Sequence, residues 1–125
     1  MKFILMMNGA TKDWAFFRWT AEEREAHMAH MHRLNADLRE AGELVTVEAL
    51  AQPAQARLVR AGKNNEPVVT DGPFPETKEF LAGYWIVDVE DAKRAYAIAA
   101  RASAAPGERG VPVQIPIEVR EVMSI

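Results

Sequence analysis

The sequence predicts a single α+β domain in which two helices cover one face of an antiparallel sheet. The chain has 125 residues and 49% apolar composition, which is enough to bury one core without disulfides or a metal. Two stretches carry apolar residues at helical spacing, and several shorter stretches have strand-like patterns. The predicted order is β-α-β-β(-β)-β-α-β, within one domain that spans residues 1–125.

The first strand is predicted at Phe3–Met7, where every residue is apolar. This pattern is typical of a strand that is buried on both faces and central in its sheet. Asn8-Gly9 is predicted to end the strand. The segment that follows is rich in aromatic residues, which either cover the end of the first helix or form a lid over a pocket. They are Trp14, Phe16, Phe17 and Trp19.

The first helix is predicted at Ala21–Ala41. Thr20 and Glu23 have the spacing of a capping box, in which each side chain accepts a hydrogen bond from the backbone N–H of the other residue. Gly42 supplies the expected left-handed stop. One face of this helix carries the residues that we expect to pack against the core or to contact a ligand. They are His27, Met31, Leu34, Leu38 and Ala41.

Three β-prone runs follow, at Leu44–Leu50, Ala56–Ala61 and Val68–Thr70. Turn residues separate them, so we expect antiparallel neighbours. A loop is predicted from Asp71 to about Leu81, and a strand at Gly83–Val89.

The second helix is predicted at Glu90–Ser103, where alanines recur at helical spacing, with Asp88 as its cap. The last strand is predicted at Val113–Val119, where apolar and other residues alternate. Pro116 lacks a backbone N–H and places this strand at an edge of the sheet.

This order matches the split β-α-β, or ferredoxin-like, arrangement with an added hairpin. Its two helices cover only one face of the sheet, yet Phe3–Met7 and Tyr84–Val87 are apolar on both faces. A lone domain would leave several of these groups in water. We therefore expect a homodimer whose sheets pack face to face.

Composition excludes several classes of function. The net charge is −3 with both signs interspersed, so neither nucleic acid nor an anionic membrane is an expected partner. The absence of cysteine excludes thiolate chemistry and cysteine-ligated metals. No apolar run reaches the roughly 20 residues that span a bilayer, and the first is shorter than a signal-peptide core. We expect a cytoplasmic protein, and the sequence predicts no cofactor.

Asp71-Gly72-Pro73-Phe74 is followed by Glu76-Thr77-Lys78-Glu79 and then by Gly83-Tyr84. With these motifs the chain resembles the YCII-related family, in the branch named for its DGPF motif. The resemblance extends over most of the chain. Its other matching segments are Met1–Phe3, the capped helix, Ala41–Leu44 and Glu48–Leu50.

The resemblance implies a ferredoxin-like dimer of the α/β-barrel type, whose function is mostly unassigned. Some relatives are thought to use a His–Asp pair on a small molecule, and DGPF proteins often accompany alternative sigma factors. The helix histidine of those relatives would fall near Met31. In this chain His27, His30 and His32 surround that position.

His27 and His30 are separated by three residues on the predicted helix and can face one cleft, where an imidazole can serve as general base or acid. Alternatively, His27 is a hydrogen-bonded residue at the edge of the core and His30 a surface residue. His32 falls on the far side and is expected in solvent. Because His32 points away from His27 and His30, the three histidines are not expected to bind one metal ion.

Asp71 precedes Gly72-Pro73 and can stabilise a rigid corner through its own backbone. Alternatively, the corner directs Asp71 at the helix histidines, so that the carboxylate orients an imidazole. Glu76 and Lys78 either bind a polar or anionic ligand or form a solvated ion pair. Tyr84 offers a phenol beside the same loop, or belongs to the core.

Three functions remain open from the sequence. The first is an enzyme that performs acid–base chemistry on a small polar or aromatic metabolite, with His27 or His30 as base, Asp71 as orienting carboxylate and Lys78 as anchor. The second is a dimeric ligand-binding or regulatory module that binds without transforming. The third is an interaction domain defined by its dimer interface and the DGPF corner.

Overall fold

Two helices pack against one face of an antiparallel sheet. A computed structural model describes residues 1–10, 18–72 and 79–125, except for the side chain of Ala10. The described strands are β1 (Lys2–Ala10), β2 (Leu44–Ala49), β3 (Arg57–Ala61), β4 (Pro67–Asp71), β5 (Glu79–Asp88) and β6 (Ile117–Glu121). The helices are α1 (Ala21–Glu40) and α2 (Ala92–Ser103).

The described strands form one sheet with the order β2-β5-β1-β6 and a separate hairpin of β3 and β4. The predicted central position of the first strand is confirmed, because β1 pairs with both β5 and β6. The predicted edge position of the last strand is also confirmed. This antiparallel α+β arrangement is compatible with a ferredoxin-like fold.

The predicted cap of α1 is confirmed. The backbone N–H of Glu23 donates to Thr20 Oγ1 at 3.1 Å, and the backbone N–H of Thr20 donates to Glu23 Oε1 at 2.8 Å. The helix ends at Glu40, one residue before the predicted end, and Gly42 follows with φ +73°. That left-handed conformation is the one for which glycine has no steric penalty.

Three strand predictions are wrong. β1 does not end at Asn8-Gly9, because an irregularity after Met7 lets Asn8 pair with Leu81 and the ladder continue. β5 accordingly begins at Glu79, inside the predicted loop. β2 pairs with β5 rather than with β3. The 3-10 turn Pro53–Gln55 separates β2 from β3, so the hairpin prediction holds only for β3 and β4.

The C-terminal third also differs from prediction. Asp91, not Asp88, caps α2 by accepting from the N–H of Arg94 at 2.9 Å. Residues 113–116 do not belong to the last strand, because they bind the end of α2: the N–H of Gln114 donates to Ser103 O, and Ser103 Oγ donates to Ile115 O. β6 therefore starts only at Ile117.

The core lies between the helices and the sheet. Phe3 and Leu5 are buried, so alternation directs Ile4 and Met6 to the opposite face. The core comprises Phe3, Leu5, Met31, Leu34, Leu38, Trp85, Val87, Val89, Ala95, Ile98, Ala99, Ala102 and Ala105. Neither described helix is long and apolar enough to cross a membrane.

We call the second side of the sheet the open face. Its centre consists of two cross-strand pairs, Ile4 with Ile86 and Met6 with Tyr84, and all four side chains are only half-buried. Polar residues flank both pairs on the outer strands. Thr46 and Glu48 stand beside Ile86 and Tyr84, and Arg120 and Glu118 stand beside Ile4 and Met6.

Candidate functional site

His27 lies on the inner face of α1 and is only 8% exposed. Its Nδ1 is 3.0 Å from the carbonyl oxygen of Pro106. Because a carbonyl only accepts, Nδ1 carries the hydrogen and the neutral ring has its lone pair on Nε2. Burial lowers the pKa of His27 below its ordinary value of 6.5, the bond to Pro106 opposes this shift, and the charge of His30 adds to it. The imidazole is therefore held neutral.

Trp19 contacts His27 directly. Their ring centroids are 5.2 Å apart and the planes are inclined by 60°, an edge-to-face arrangement. Gly107 lies against the same indole, since a Cβ there would come within 3.1 Å of Trp19 Cζ2. The absence of a side chain at Gly107 thus lets the indole pack onto the backbone that follows α2.

His30 is half-buried, and its Nε2 donates to the carbonyl oxygen of Arg101 at 2.8 Å. The guanidinium of Arg101 in turn pairs with Asp37 of α1 at 2.6 Å. His27 and His30 therefore both attach α1 to the end of α2 and the loop after it. His32 is exposed, as predicted. In the described part of the chain, no three acidic or histidine side chains are arranged to hold a metal ion.

A cleft of about 580 Å³ opens next to Trp19. Its remaining lining comes from the loop that follows α2 and consists of apolar residues and two charged residues. The cleft is lined by Trp19, Gly107, Glu108, Arg109, Val111, Pro112 and Val113. We refer to this site as the Trp19 cleft.

Glu23 connects the start of α1 to this loop. Its Oε2 accepts from the backbone N–H of Arg109 at 2.6 Å, while Oε1 accepts from Thr20. The backbone N–H of Arg109 and that of Thr20 lower the pKa of the Glu23 carboxyl, which stays ionised in this position. Arg109 has φ 57°, a left-handed conformation that is uncommon outside glycine and asparagine. The Glu23 contact thus fixes an unusual turn at the edge of the cleft.

Asp71 lies at the end of β4, in the hairpin rather than beside α1. Its carboxylate is 3.6 Å from Arg57 Nε, and its side chain is 95% exposed. Gly72 completes the corner by donating to Ala56 O at 3.0 Å. The described contacts thus give Asp71 and the two histidines different partners. Their predicted pairing stays a prediction.

Tyr84 projects from the open face, between Glu48 and Met6. The sheet therefore separates it from His27 and His30, which lie on the helical side. Glu76 and Lys78 fall outside the described residues, as do Trp14, Phe16 and Phe17. Of the predicted site residues that the structure describes, His27 and His30 are the two that share a neighbouring segment. Each is hydrogen-bonded to a backbone carbonyl of Arg101–Pro106.

Sequence reasoning missed the contribution of the Gly107–Val113 loop. The sequence indicates Trp19 only as one of several aromatic residues, and no local pattern gives Glu108-Arg109-Gly110 a role. The available signal was the pair of glycines that flank Glu108-Arg109, which indicates a tight turn. Its placement beside Trp19 depends on long-range packing.

Comparison with known proteins places the chain in a family. A family model described as the YCII-related domain matches residues 1–117. An uncharacterised protein of Rhizobium meliloti (strain 1021) is 37% identical over 70 residues, which cover 56% of this chain and 56% of that protein. The match thus spans about half the length of the curated relative. The chain belongs to the YCII-related family.

Proposed function

We propose that this protein binds a small polar or aromatic metabolite in the Trp19 cleft. The observation that carries the proposal is the cleft itself, about 580 Å³ in volume and bordered by an indole ring, aliphatic residues and two charged side chains. Small-molecule sites commonly measure about 300–1,000 Å³ and combine an apolar lining with a few polar groups. The Trp19 cleft has this size and this composition.

The support around Trp19 favours binding, because the ring is held before a ligand arrives. His27 contacts the indole edge-to-face, and Gly107 packs against its Cζ2 side. Arg24 Nη1 donates to the Trp19 carbonyl at 2.5 Å and restrains the backbone. A preorganised aromatic side chain loses little conformational entropy on binding, so more of the contact free energy appears as affinity.

A thermal-shift screen of small aromatic and polar metabolites tests this function. A compound that binds only the folded protein raises the unfolding midpoint. We expect hits with wild type and with the control Tyr96→Leu, which removes an aromatic ring that is 58% exposed on α2. The same compounds should lose their shift with Trp19→Leu. Shifts that survive Trp19→Leu would assign binding to another site.

We infer a second feature, that the protein is a homodimer of the α/β-barrel type with open faces packed together. Ile4, Met6, Tyr84 and Ile86 form an apolar centre, and charged residues of β2 and β6 form its rim. An apolar core with a polar rim is typical of protein interfaces. Tyr84 would then lie in the dimer interface. A ligand-binding role for Tyr84, Glu76 and Lys78 stays a prediction.

Acid–base chemistry is the second candidate function. The observation that favours it is an imidazole beside Trp19 at the edge of the cleft, whose ring is neutral because burial lowers the pKa of His27. In this proposal His27 or His30 is the base. Because Pro106 O and Arg101 O already accept the N–H of each neutral ring, the Asp71 carboxylate of the other protomer would stabilise the ring once it is protonated. Turnover that is lost in both His27→Gln and Asp71→Asn would support it.

The motif Asp71–Phe74 supports assignment to the DGPF branch of the family. We propose on that basis a cytoplasmic protein with a regulatory role alongside an alternative sigma factor. A pull-down with candidate sigma factors, compared between wild type and a variant with Asp71–Phe74 replaced by alanines, tests that association.

A further inference from the structure

We propose that the ligand of the Trp19 cleft is a singly charged aromatic carboxylate, anchored by Arg109. This inference rests on the proposed binding function and adds the chemical class of the ligand and the residue that recognises it. It follows from the charges at the cleft and from the way in which Arg109 is held.

The guanidinium of Arg109 is available for a ligand. Arg109 lines the cleft, and its side chain forms no ion pair or hydrogen bond within residues 1–10, 18–72 and 79–125. The Arg109 charge also acts on the Glu23 carboxylate, but the hydrogen bonds of that carboxylate come from the backbone N–H groups of Arg109 and Thr20. Arg109 therefore differs from Arg94 and Arg101, whose guanidinium groups bind Glu43 and Asp37.

The backbone of Arg109 is fixed at this edge. Its φ of 57° has a conformational cost for a residue with a Cβ, and the N–H contact to Glu23 Oε2 at 2.6 Å offsets part of that cost. Unusual backbone conformations that the surroundings maintain are often found at binding sites. Here the turn holds a guanidinium within the same cleft as an indole.

The charges at the cleft favour one negative charge on the ligand over two, because Arg109 can pair with a single carboxylate. The cleft lining contains one cation, Arg109, and one anion, Glu108, with the Glu23 carboxylate close by. A carboxylate fits the planar guanidinium through two parallel hydrogen bonds. A phosphate dianion would add a second negative charge beside Glu108 and Glu23, while the described residues of the lining include no second cation. The indole and Val111–Val113 supply the surface for an aromatic ring.

Isothermal titration calorimetry with matched probes tests the inference. The probes are 2-naphthoate, its neutral analogue 2-naphthamide, and 2-naphthyl phosphate. For wild type we expect naphthoate to bind at least about tenfold more tightly than the amide, as charge-assisted hydrogen bonds imply. Arg109→Asn should remove that preference, because asparagine tolerates the left-handed turn but lacks the guanidinium. The control Arg60→Asn, on the exposed hairpin, should retain it.

The outcomes distinguish a wrong ligand class from a wrong binding site. Equal affinity for naphthoate and naphthamide, with both lost in Trp19→Leu, would overturn the carboxylate class and leave the cleft as a binding site. Tighter binding of naphthyl phosphate would overturn the single-charge argument. No binding by any probe would overturn the class and count against the proposed function. Circular dichroism and thermal unfolding establish that each variant is folded.

Discussion

The imidazole Nδ1 of His27 lies 3.0 Å from the carbonyl oxygen of Pro106, which is 79 residues later in the chain. This bond joins α1 to the loop that follows α2. It also places a buried, neutral histidine against Trp19 at the cleft. One contact thereby couples the packing of the two helices to the shape of the candidate site.

We predict that His27 makes stability depend on pH below about 6.5. In the unfolded chain the imidazole takes up a proton near its ordinary pKa of 6.5, but burial lowers its pKa in the folded protein. Between these two values the unfolded state binds more protons, so the free energy of unfolding falls as the pH falls. Urea unfolding at pH 7.5, 6.5 and 5.5 measures the slope.

The control for that prediction is a pair of histidine variants. His27→Gln does not titrate, so its slope in this range should be shallower than that of wild type. His32→Gln changes an exposed residue and should leave the slope as it is in wild type. A steep slope that persists in His27→Gln would assign the pH dependence to other groups.

We predict that Gly107→Ala disturbs Trp19. The added Cβ would lie 3.1 Å from Trp19 Cζ2 and 3.2 Å from Val113 Cγ2, so the indole or the valine must move by a few tenths of an ångström. The indole N–H resonance of Trp19, assigned with Trp19→Phe, should shift in a ¹H–¹⁵N spectrum. Affinity for any ligand of the cleft should fall as well.

Gly110→Ala is the matched control in the same turn. Gly110 has φ +74° and open space at its Cβ position. The alanine variant should therefore cost about 1 kcal/mol of stability through the left-handed backbone, without moving Trp19. If Gly110→Ala shifts the indole resonance as much as Gly107→Ala does, the resonance responds to any change in the loop, and the shift is not evidence for the contact between Gly107 and Trp19.

We predict that Met6→Glu dissociates the dimer. Met6 stands between Tyr84 and Glu118 on the open face, so a glutamate there would be buried beside another carboxylate. Burying an unpaired charge costs several kcal/mol, and the dimer dissociation constant should rise at least about hundredfold. Light scattering after size exclusion should show a dimer for wild type and for Tyr96→Glu, and a monomer for Met6→Glu. A monomeric wild type at micromolar concentration would contradict the homodimer.

We predict that Asp71→Asn has little effect on stability, below about 0.5 kcal/mol, because its ion pair with Arg57 is long and exposed. If Asp71 acts only as a corner residue, the NMR titration midpoint of His27 should also stay at its wild-type value. A lower midpoint for His27 in Asp71→Asn would instead show that the carboxylate reaches the imidazole, and would favour the acid–base function.

The sequence predicted the parts of the fold that local patterns determine. The capping box of Thr20 and Glu23 located the start of α1, and the uninterrupted run Phe3–Met7 located the central strand. The prediction was wrong where the structure depends on contacts between segments that are distant in the sequence. The pairing of Asn8 with Leu81, and the attachment of Gln114 to Ser103, depend on contacts that no local pattern contains.

The candidate site was predictable to a smaller extent. The stripe on α1 correctly placed His27 at the edge of the core, where the structure confirms burial and a hydrogen bond. Its partner, Pro106, is remote in sequence and contributes only a backbone carbonyl. Arg109 carried no signal, because its role depends on the Glu23 contact and on an unusual turn that forms only in the folded chain.

NMR mapping of a bound aromatic carboxylate tests the Trp19 cleft most directly. With 2-naphthoate added to ¹⁵N-labelled protein, we expect saturable shifts of the Trp19 indole N–H and of the backbone amides of Gly107, Arg109 and Val111. Amides of the exposed hairpin, such as that of Val59, should not move. Saturable shifts confined to residues outside the Trp19 cleft, or no shift at millimolar probe, would contradict binding in the cleft.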